Sequence, residues 1–166
     1  MRHRFVLALL LLFVFISGCA REKEEVISSF PSGAKKQTGI FRGEKPNRAQ
    51  LKAFEYYESG ERKKEFGFKD NHFFGPWTFW YKDGKKAAEG IIEVKALDHQ
   101  NAVGTGTYFW PGGAKMIELK PKPDKSGSDV VAIYDVSGKA YTAQNKPPEL
   151  AAKIKTLLEK WEKGEL

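Results

Sequence analysis

The sequence predicts a mainly β fold: a single-layer antiparallel meander of repeated β-hairpins that ends in a C-terminal amphipathic α-helix. A turn motif ending in glycine recurs along the chain, and aromatic or β-branched runs of strand length flank it. The last segment instead has apolar residues at helical spacing. Together these patterns predict a repeat sheet over residues 30–119 and a helix over residues 147–164.

The N-terminal segment has the layout of an export signal. Basic residues Arg2 and Arg4 precede the apolar run from Phe5 to Ile16, and Ser17 and Gly18 follow it. The run has 12 residues, whereas a membrane-spanning helix needs about 20. We therefore predict a removable signal peptide over residues 1–18.

The end of this signal, Ile16-Ser17-Gly18-Cys19, resembles the lipobox of bacterial lipoproteins. The resemblance implies cleavage between Gly18 and Cys19, a diacylglycerol on the Cys19 thiol and an acyl chain on its new amino group. Two or more acyl chains hold a protein firmly to a bilayer. No other cofactor is expected. The alternative is an ordinary secretory signal followed by an incidental cysteine.

The resemblance also implies a location in the cell envelope. With Ala20 after the lipidated cysteine, it implies the outer membrane facing the periplasm in a Gram-negative cell. In another host it implies the outer face of the cytoplasmic membrane. Cys19 is the single cysteine of the chain, so no internal disulfide can form.

The chain that would remain after cleavage is basic, with 26 Lys and Arg against 21 Asp and Glu, a net charge of +5. A basic surface favours anionic partners, and export disfavours nucleic acid as one of them. Interspersed opposite charges are equally typical of a solvated face. Residues 19–29 are polar and mixed in charge, and we predict a short tether there.

The repeated turns give the strongest structural pattern. Glycine reaches positive φ without a steric penalty, so such motifs between strand-like runs predict hairpin turns. Four of the five turns have an aromatic residue three places before the glycine, and a Lys or Arg follows each glycine within two residues. The predicted turn glycines are Gly33, Gly60, Gly84, Gly113 and Gly138.

The stretch from Tyr56 to Gly90, with Gly75-Pro-Trp77-Thr-Phe-Trp80-Tyr81-Lys-Asp-Gly84 at its centre, resembles the MORN-type repeat. It is more similar to the variant in YwqK-type antitoxin-like proteins. Partial copies lie at residues 32–47 and 104–115. The resemblance implies a repeat sheet and, as an alternative function, an antitoxin or immunity protein that neutralises an envelope-acting toxin. One additional residue between Gly60 and Gly67 predicts a β-bulge.

The C-terminal part changes in composition. Residues 120–128 are rich in Pro, Lys and Ser and predict a linker, and residues 129–146 predict one more hairpin. Pro147, Pro148 and Glu149 are typical of a helix start. The apolar face that follows predicts a helix packed on the edge or face of the sheet. A helix that binds a partner or lies on a membrane surface is the alternative.

The sequence offers little catalytic chemistry. His72 and His99 lie in predicted turns and lack metal-binding spacing. No nucleophile elbow or phosphate-binding loop is present. We therefore expect no metal site and no enzyme activity.

Aromatic density is the remaining functional feature. Strand alternation places Trp77, Phe79 and Tyr81 on one face and Thr78 and Trp80 on the other. Such aromatics form either a stabilising cross-strand ladder or an exposed platform for sugar rings, peptides or an apolar patch. We expect a lipid-anchored, non-catalytic binding or scaffold module for a protein, cell-wall or lipid partner, in an oligomeric state that the sequence leaves open. The candidate binding aromatics are Tyr56, Tyr57, Trp77, Phe79, Trp80, Tyr81, Tyr108 and Trp110.

Overall fold

The structure, a computed structural model, describes residues 21–98 and 102–166. The predicted signal peptide, Gly18, Cys19 and His99 lie outside the described residues. Within those two ranges, ten strands form one antiparallel sheet in which the spatial order follows the sequence order. The predicted fold class is therefore confirmed. The strands are Glu22–Ser29 (β1), Lys35–Arg42 (β2), Ala49–Tyr56 (β3), Arg62–Lys69 (β4), His72–Trp80 (β5), Lys86–Ala96 (β6), Val103–Phe109 (β7), Lys115–Pro121 (β8), Ser128–Tyr134 (β9) and Ala140–Tyr141 (β10).

The five predicted turn glycines share one backbone geometry, with φ between +81° and +102°. In the β3–β4 turn, the Gly60 N–H donates to the Tyr57 carbonyl, and the Tyr57 N–H donates to the Glu61 carbonyl, both at 2.9 Å. The same pair of hydrogen bonds recurs in the other four turns. This pattern is that of a hairpin turn with glycine at its left-handed position. The five turns are alternate connections of an antiparallel meander, so all five lie at one end of the sheet, which we call the turn end.

The first strand differs from the predicted tether. Glu22–Ser29 pairs with β2 along its whole length, so this segment belongs to the sheet. Its glutamates bind arginines that follow: Glu22 accepts from Arg42 at 2.5 Å, and Glu25 pairs with Arg48. Charged side chains are a common feature of edge strands because they discourage pairing with another chain. A charged edge strand and a polar tether thus have the same composition.

The other segment boundaries also shift. Strand β8 continues to Pro121 and β9 begins at Ser128, so the loop is shorter than the predicted linker. The sequence predicts a β-bulge between Gly60 and Gly67, and the register between β3 and β4 shifts in that interval, at Lys63. A further shift, between Phe66 and Phe68, lies between β4 and β5.

The helix of the described chain, α1, spans Pro148–Glu162 and packs across one face of the sheet. Leu150 and Ile154 pack with the cluster that contains Trp110 and Ile133. Trp161, near the other end of α1, stacks on Phe79 with ring centroids 5.2 Å apart. The helix therefore crosses the sheet from β9 back to β5. We call the side that it covers the helix face and the opposite side the open face.

Glycines shape the sheet beneath the helix face. Gly90 and Gly106 lie opposite each other on β6 and β7, and Trp77 lies over both. A Cβ at either position would meet the Trp77 ring at 2.7 or 2.8 Å. Because these positions lack a side chain, a large indole fits against the sheet and helps to form the core.

Candidate functional site

Most of the predicted binding aromatics are core residues. Five of the eight pack on the helix face with exposed fractions between 3% and 9%, and they offer no exposed platform. Tyr108 is half-buried beside them. The five are Tyr57, Trp77, Phe79, Tyr81 and Trp110.

The buried turn aromatics connect one hairpin to the next. The Tyr57 hydroxyl donates to the Trp80 carbonyl at 2.8 Å, and the Tyr81 hydroxyl donates to the Phe109 carbonyl at 2.6 Å. The Trp110 indole N–H continues the series by donating to a β9 carbonyl at 3.1 Å. Burial raises the pKa of both Tyr57 and Tyr81 to about 12. These aromatics therefore act in folding.

A second set of aromatics lies on the open face. Each one precedes the first residue of a hairpin turn, and strand alternation directs it away from the buried turn aromatic. All four are half-buried in the described chain. They lie on alternate strands, β3, β5, β7 and β9, so successive members are about 9.5 Å apart. This open-face aromatic row consists of Tyr56, Trp80, Phe109 and Tyr134.

Three basic side chains alternate with this row. Arg62 lies opposite Tyr56 in the adjacent strand, Lys86 opposite Trp80, and Lys115 opposite Phe109. Their side chains have exposed fractions of 54%, 54% and 55%. A register shift occurs at the same position in each of the three hairpins. The same aromatic and basic unit is thus built three times on one face.

Each of these bases pairs with the glutamate three residues later. The nitrogen–oxygen distances are 3.4 Å for Arg62–Glu65, 2.5 Å for Lys86–Glu89 and 2.6 Å for Lys115–Glu118. Residues three positions apart in a regular strand point to opposite faces. Here a β-bulge lies between the two partners, so both lie on the open face.

The glutamates form part of a polar row across the middle strands. Glu65, Thr78, Glu89, Thr107 and Glu118 lie side by side in register from β4 to β8. Hydrogen bonds from the Lys115 ammonium and the Tyr134 hydroxyl lower the pKa of Glu118 and keep it ionised. The open face therefore places aromatic rings beside charged and hydroxyl groups.

The helix face contains a groove of about 550 Å³ between α1, the middle strands and the loop before β9. Trp77, Tyr108 and Lys64 are among the residues that line it. The Lys64 ammonium is buried and lies 3.3 Å from Glu162 and 3.7 Å from Glu55. This volume falls in the range of small-molecule sites, but its cation already has two carboxylate partners.

The predicted turn histidine lies at the start of β5. His72 Nδ1 is 2.8 Å from the Asp70 carbonyl oxygen, a local turn contact. Within residues 21–98 and 102–166, no group of three His, Cys, Asp or Glu side chains is placed to hold a metal ion. No helix of the described chain is long and apolar enough to cross a membrane.

No family model, curated protein or solved structure matches this chain. The MORN- and YwqK-type resemblance accordingly stays a prediction that rests on the motif residues themselves.

Sequence reasoning identified Tyr56 and Trp80 but missed the rest of the open-face aromatic row. A signal was present: three turns carry two adjacent aromatics, Tyr56-Tyr57, Trp80-Tyr81 and Phe109-Trp110. The first of each pair lies on the open face and the second in the core. The base two residues after each glycine is a repeated position as well.

Proposed function

We propose that this chain is a non-catalytic binding module, held to an envelope membrane by lipid on Cys19, whose open face holds a macromolecular partner. The observation that supports it is the threefold repetition of an aromatic residue opposite a base, in which all three basic side chains are about half exposed. A row of partly exposed aromatics on the side away from the core is typical of an interaction surface.

The division between the two faces supports the same proposal. The helix face has its apolar partner, because α1 covers both core clusters. The open face instead carries regularly repeated rings and charges. Cross-strand aromatic and basic pairs also stabilise a sheet. Binding and stability measurements on the same variants separate the two roles.

The start of β1 supports a location close to the lipid. Glu22 is the first strand residue, three positions after the predicted acyl acceptor Cys19. Three extended residues reach at most about 10 Å. The β1 edge of the sheet would then lie next to the bilayer, with the aromatic row extending away from it strand by strand.

A photo-crosslinking experiment tests the proposal. A photoreactive amino acid at Thr107, on the open face, is compared in intact cells with one at Lys155, on the exposed side of α1. We expect a specific adduct from position 107 that is lost in the double variant Trp80→Ala, Phe109→Ala. We also expect Cys19→Ala to release the protein from the membrane fraction.

Two results would overturn the proposal. Identical adducts from positions 107 and 155 would show that the open face has no partner of its own. Continued membrane association of a Cys19→Ala protein whose signal peptide has been removed would exclude the lipid anchor.

A further inference from the structure

We infer that the partner of the open face is a single chain of an acidic, β-1,4-linked wall glycan, whose alternate sugar rings stack on the open-face aromatic row. This inference rests on the proposed function, since it names the ligand of the same surface. It is carried by the period of the row, the hydrogen-bonding groups beside it and the placement of the bases.

The period of the aromatic row matches a disaccharide. Successive rings are two strands apart, roughly 9.5 Å, and the repeat of a β-1,4-linked glycan has a similar length. Each ring would therefore meet the same sugar of every disaccharide. An extended peptide places side chains on one face about every 6.7 Å, and an α-helix repeats every 5.4 Å or so. Neither period fits the row.

A proline-rich peptide in the polyproline II conformation has a similar period, about 9.3 Å per turn. The polar row distinguishes between the two ligands. The carboxylate oxygens of Glu65, Glu89 and Glu118 accept hydrogen bonds, and sugar hydroxyls donate them. Proline has no N–H to donate, so a proline-rich chain would leave these carboxylates without ligand partners. The glutamates thus favour the glycan.

The bases favour an acidic glycan. Arg62, Lys86 and Lys115 recur once in every two strands, which is once per disaccharide. Peptidoglycan carries an acid-bearing substituent on every second sugar, with the same period. Each base is about half exposed and pairs with an open-face glutamate, so an acidic substituent would compete with that glutamate for the cationic group.

The twist of the sheet restricts the form of the glycan. Adjacent strands rotate by roughly 20–25°, so successive aromatic rings differ in orientation by about twice that angle. A single flexible chain follows this rotation. The flat surface of a crystalline polysaccharide does not. We therefore expect peptidoglycan strands to bind and crystalline cellulose to be rejected.

Binding of the lipidated protein in detergent tests the inference. The probes are isolated peptidoglycan, soluble peptidoglycan strands, crystalline cellulose and a polyproline peptide. We expect Trp80→Ala and Phe109→Ala each to weaken peptidoglycan binding by about tenfold, the loss typical of removing one aromatic anchor. Thermal melts of every variant establish that it is folded.

Two matched variants sharpen the test. Phe74→Ala removes a half-buried aromatic of β5 outside the row, and its affinity should equal that of the wild type. The triple variant Arg62→Gln, Lys86→Gln, Lys115→Gln should lose affinity for acidic peptidoglycan strands and keep affinity for a neutral chitin oligosaccharide.

The outcomes separate the inference from the proposed function. If the protein binds polyproline through Trp80 and does not bind glycan, the ligand is not a glycan, and the open face remains the binding site. Glycan binding that is unchanged in folded Trp80→Ala and Phe109→Ala variants, but lost in Tyr108→Ala, would assign the ligand to the helix-face groove and overturn both. Absence of glycan binding would overturn the inference.

Discussion

At the scale of single residues, two adjacent aromatics in one turn have opposite environments. Tyr81 is buried beneath the helix and donates its hydroxyl proton to a neighbouring carbonyl. Trp80, one residue earlier, lies half-buried on the open face. Strand alternation alone produces this difference. The same dipeptide therefore supplies one residue to the core and one to the open face.

Alkaline titration tests the burial of the turn tyrosines. Burial raises the pKa of Tyr57 and Tyr81 to about 12, against about 10 in an unfolded chain. Their contribution to stability is complete below pH 10 and is lost as the pH rises towards 12, because only the unfolded state ionises there. We expect tyrosinate absorbance to contain a late component that is reduced in Tyr57→Phe and in Tyr81→Phe. Ionisation of both residues at about pH 10, as in an unfolded chain, would contradict their burial.

The alternation of Trp77, Phe79 and Tyr81 against Thr78 and Trp80 could be predicted from the sequence, because it depends on strand period alone. Which of the two faces the helix covers could not. That choice depends on where α1 docks, and Trp161 meets Phe79 across 82 positions of the chain. The sequence pattern therefore identified the aromatics without separating core from surface.

At the scale of elements, each hairpin depends on its glycine for backbone conformation. The turn between β7 and β8 contains a natural comparison, since Gly112 and Gly113 are adjacent and a Cβ on either would meet no atom within 4 Å. Gly113 has φ +87°, in the left-handed region, and Gly112 lies outside that region. Any difference between alanine variants at these two positions is therefore conformational.

We expect Gly113→Ala to lower the free energy of unfolding by about 1 kcal/mol, the cost of placing a side chain in the left-handed region. Gly112→Ala should change it little or raise it slightly, because alanine restricts the unfolded chain. Gly84→Val should be destabilising for the same reason as Gly113→Ala. Urea denaturation measures all three. Equal stability of the two alanine variants would contradict the turn geometry.

The hairpin turns were predictable because glycine-ended motifs report local backbone conformation. Strand β1 was not predicted because its own residues do not show that it pairs with β2. Glu22 and Glu25 are compatible with either a solvated tether or a charged edge strand. Their arginine partners, Arg42 and Arg48, lie about twenty residues away. Strands were therefore predicted correctly where a glycine-ended turn joined them into a hairpin.

At the scale of the whole molecule, the helix makes the two faces of the sheet unequal. Both core clusters contain residues of α1 and lie on the helix face. The opposite face remains as a regular array of aromatics, bases and carboxylates from β3 to β9. With the proposed lipid at Cys19, a few residues before β1, this array would extend away from the membrane surface.

The tryptophans report directly on which face binds. The sequence contains four: Trp77, Trp110 and Trp161 are buried on the helix face, and Trp80 lies on the open face. An NMR titration that follows the four indole N–H signals during addition of soluble peptidoglycan strands is the most direct test. We predict that the Trp80 signal shifts while the other three stay in place. Shifts at Trp77 and Trp161, which line the helix-face groove, with Trp80 unchanged, would contradict the account.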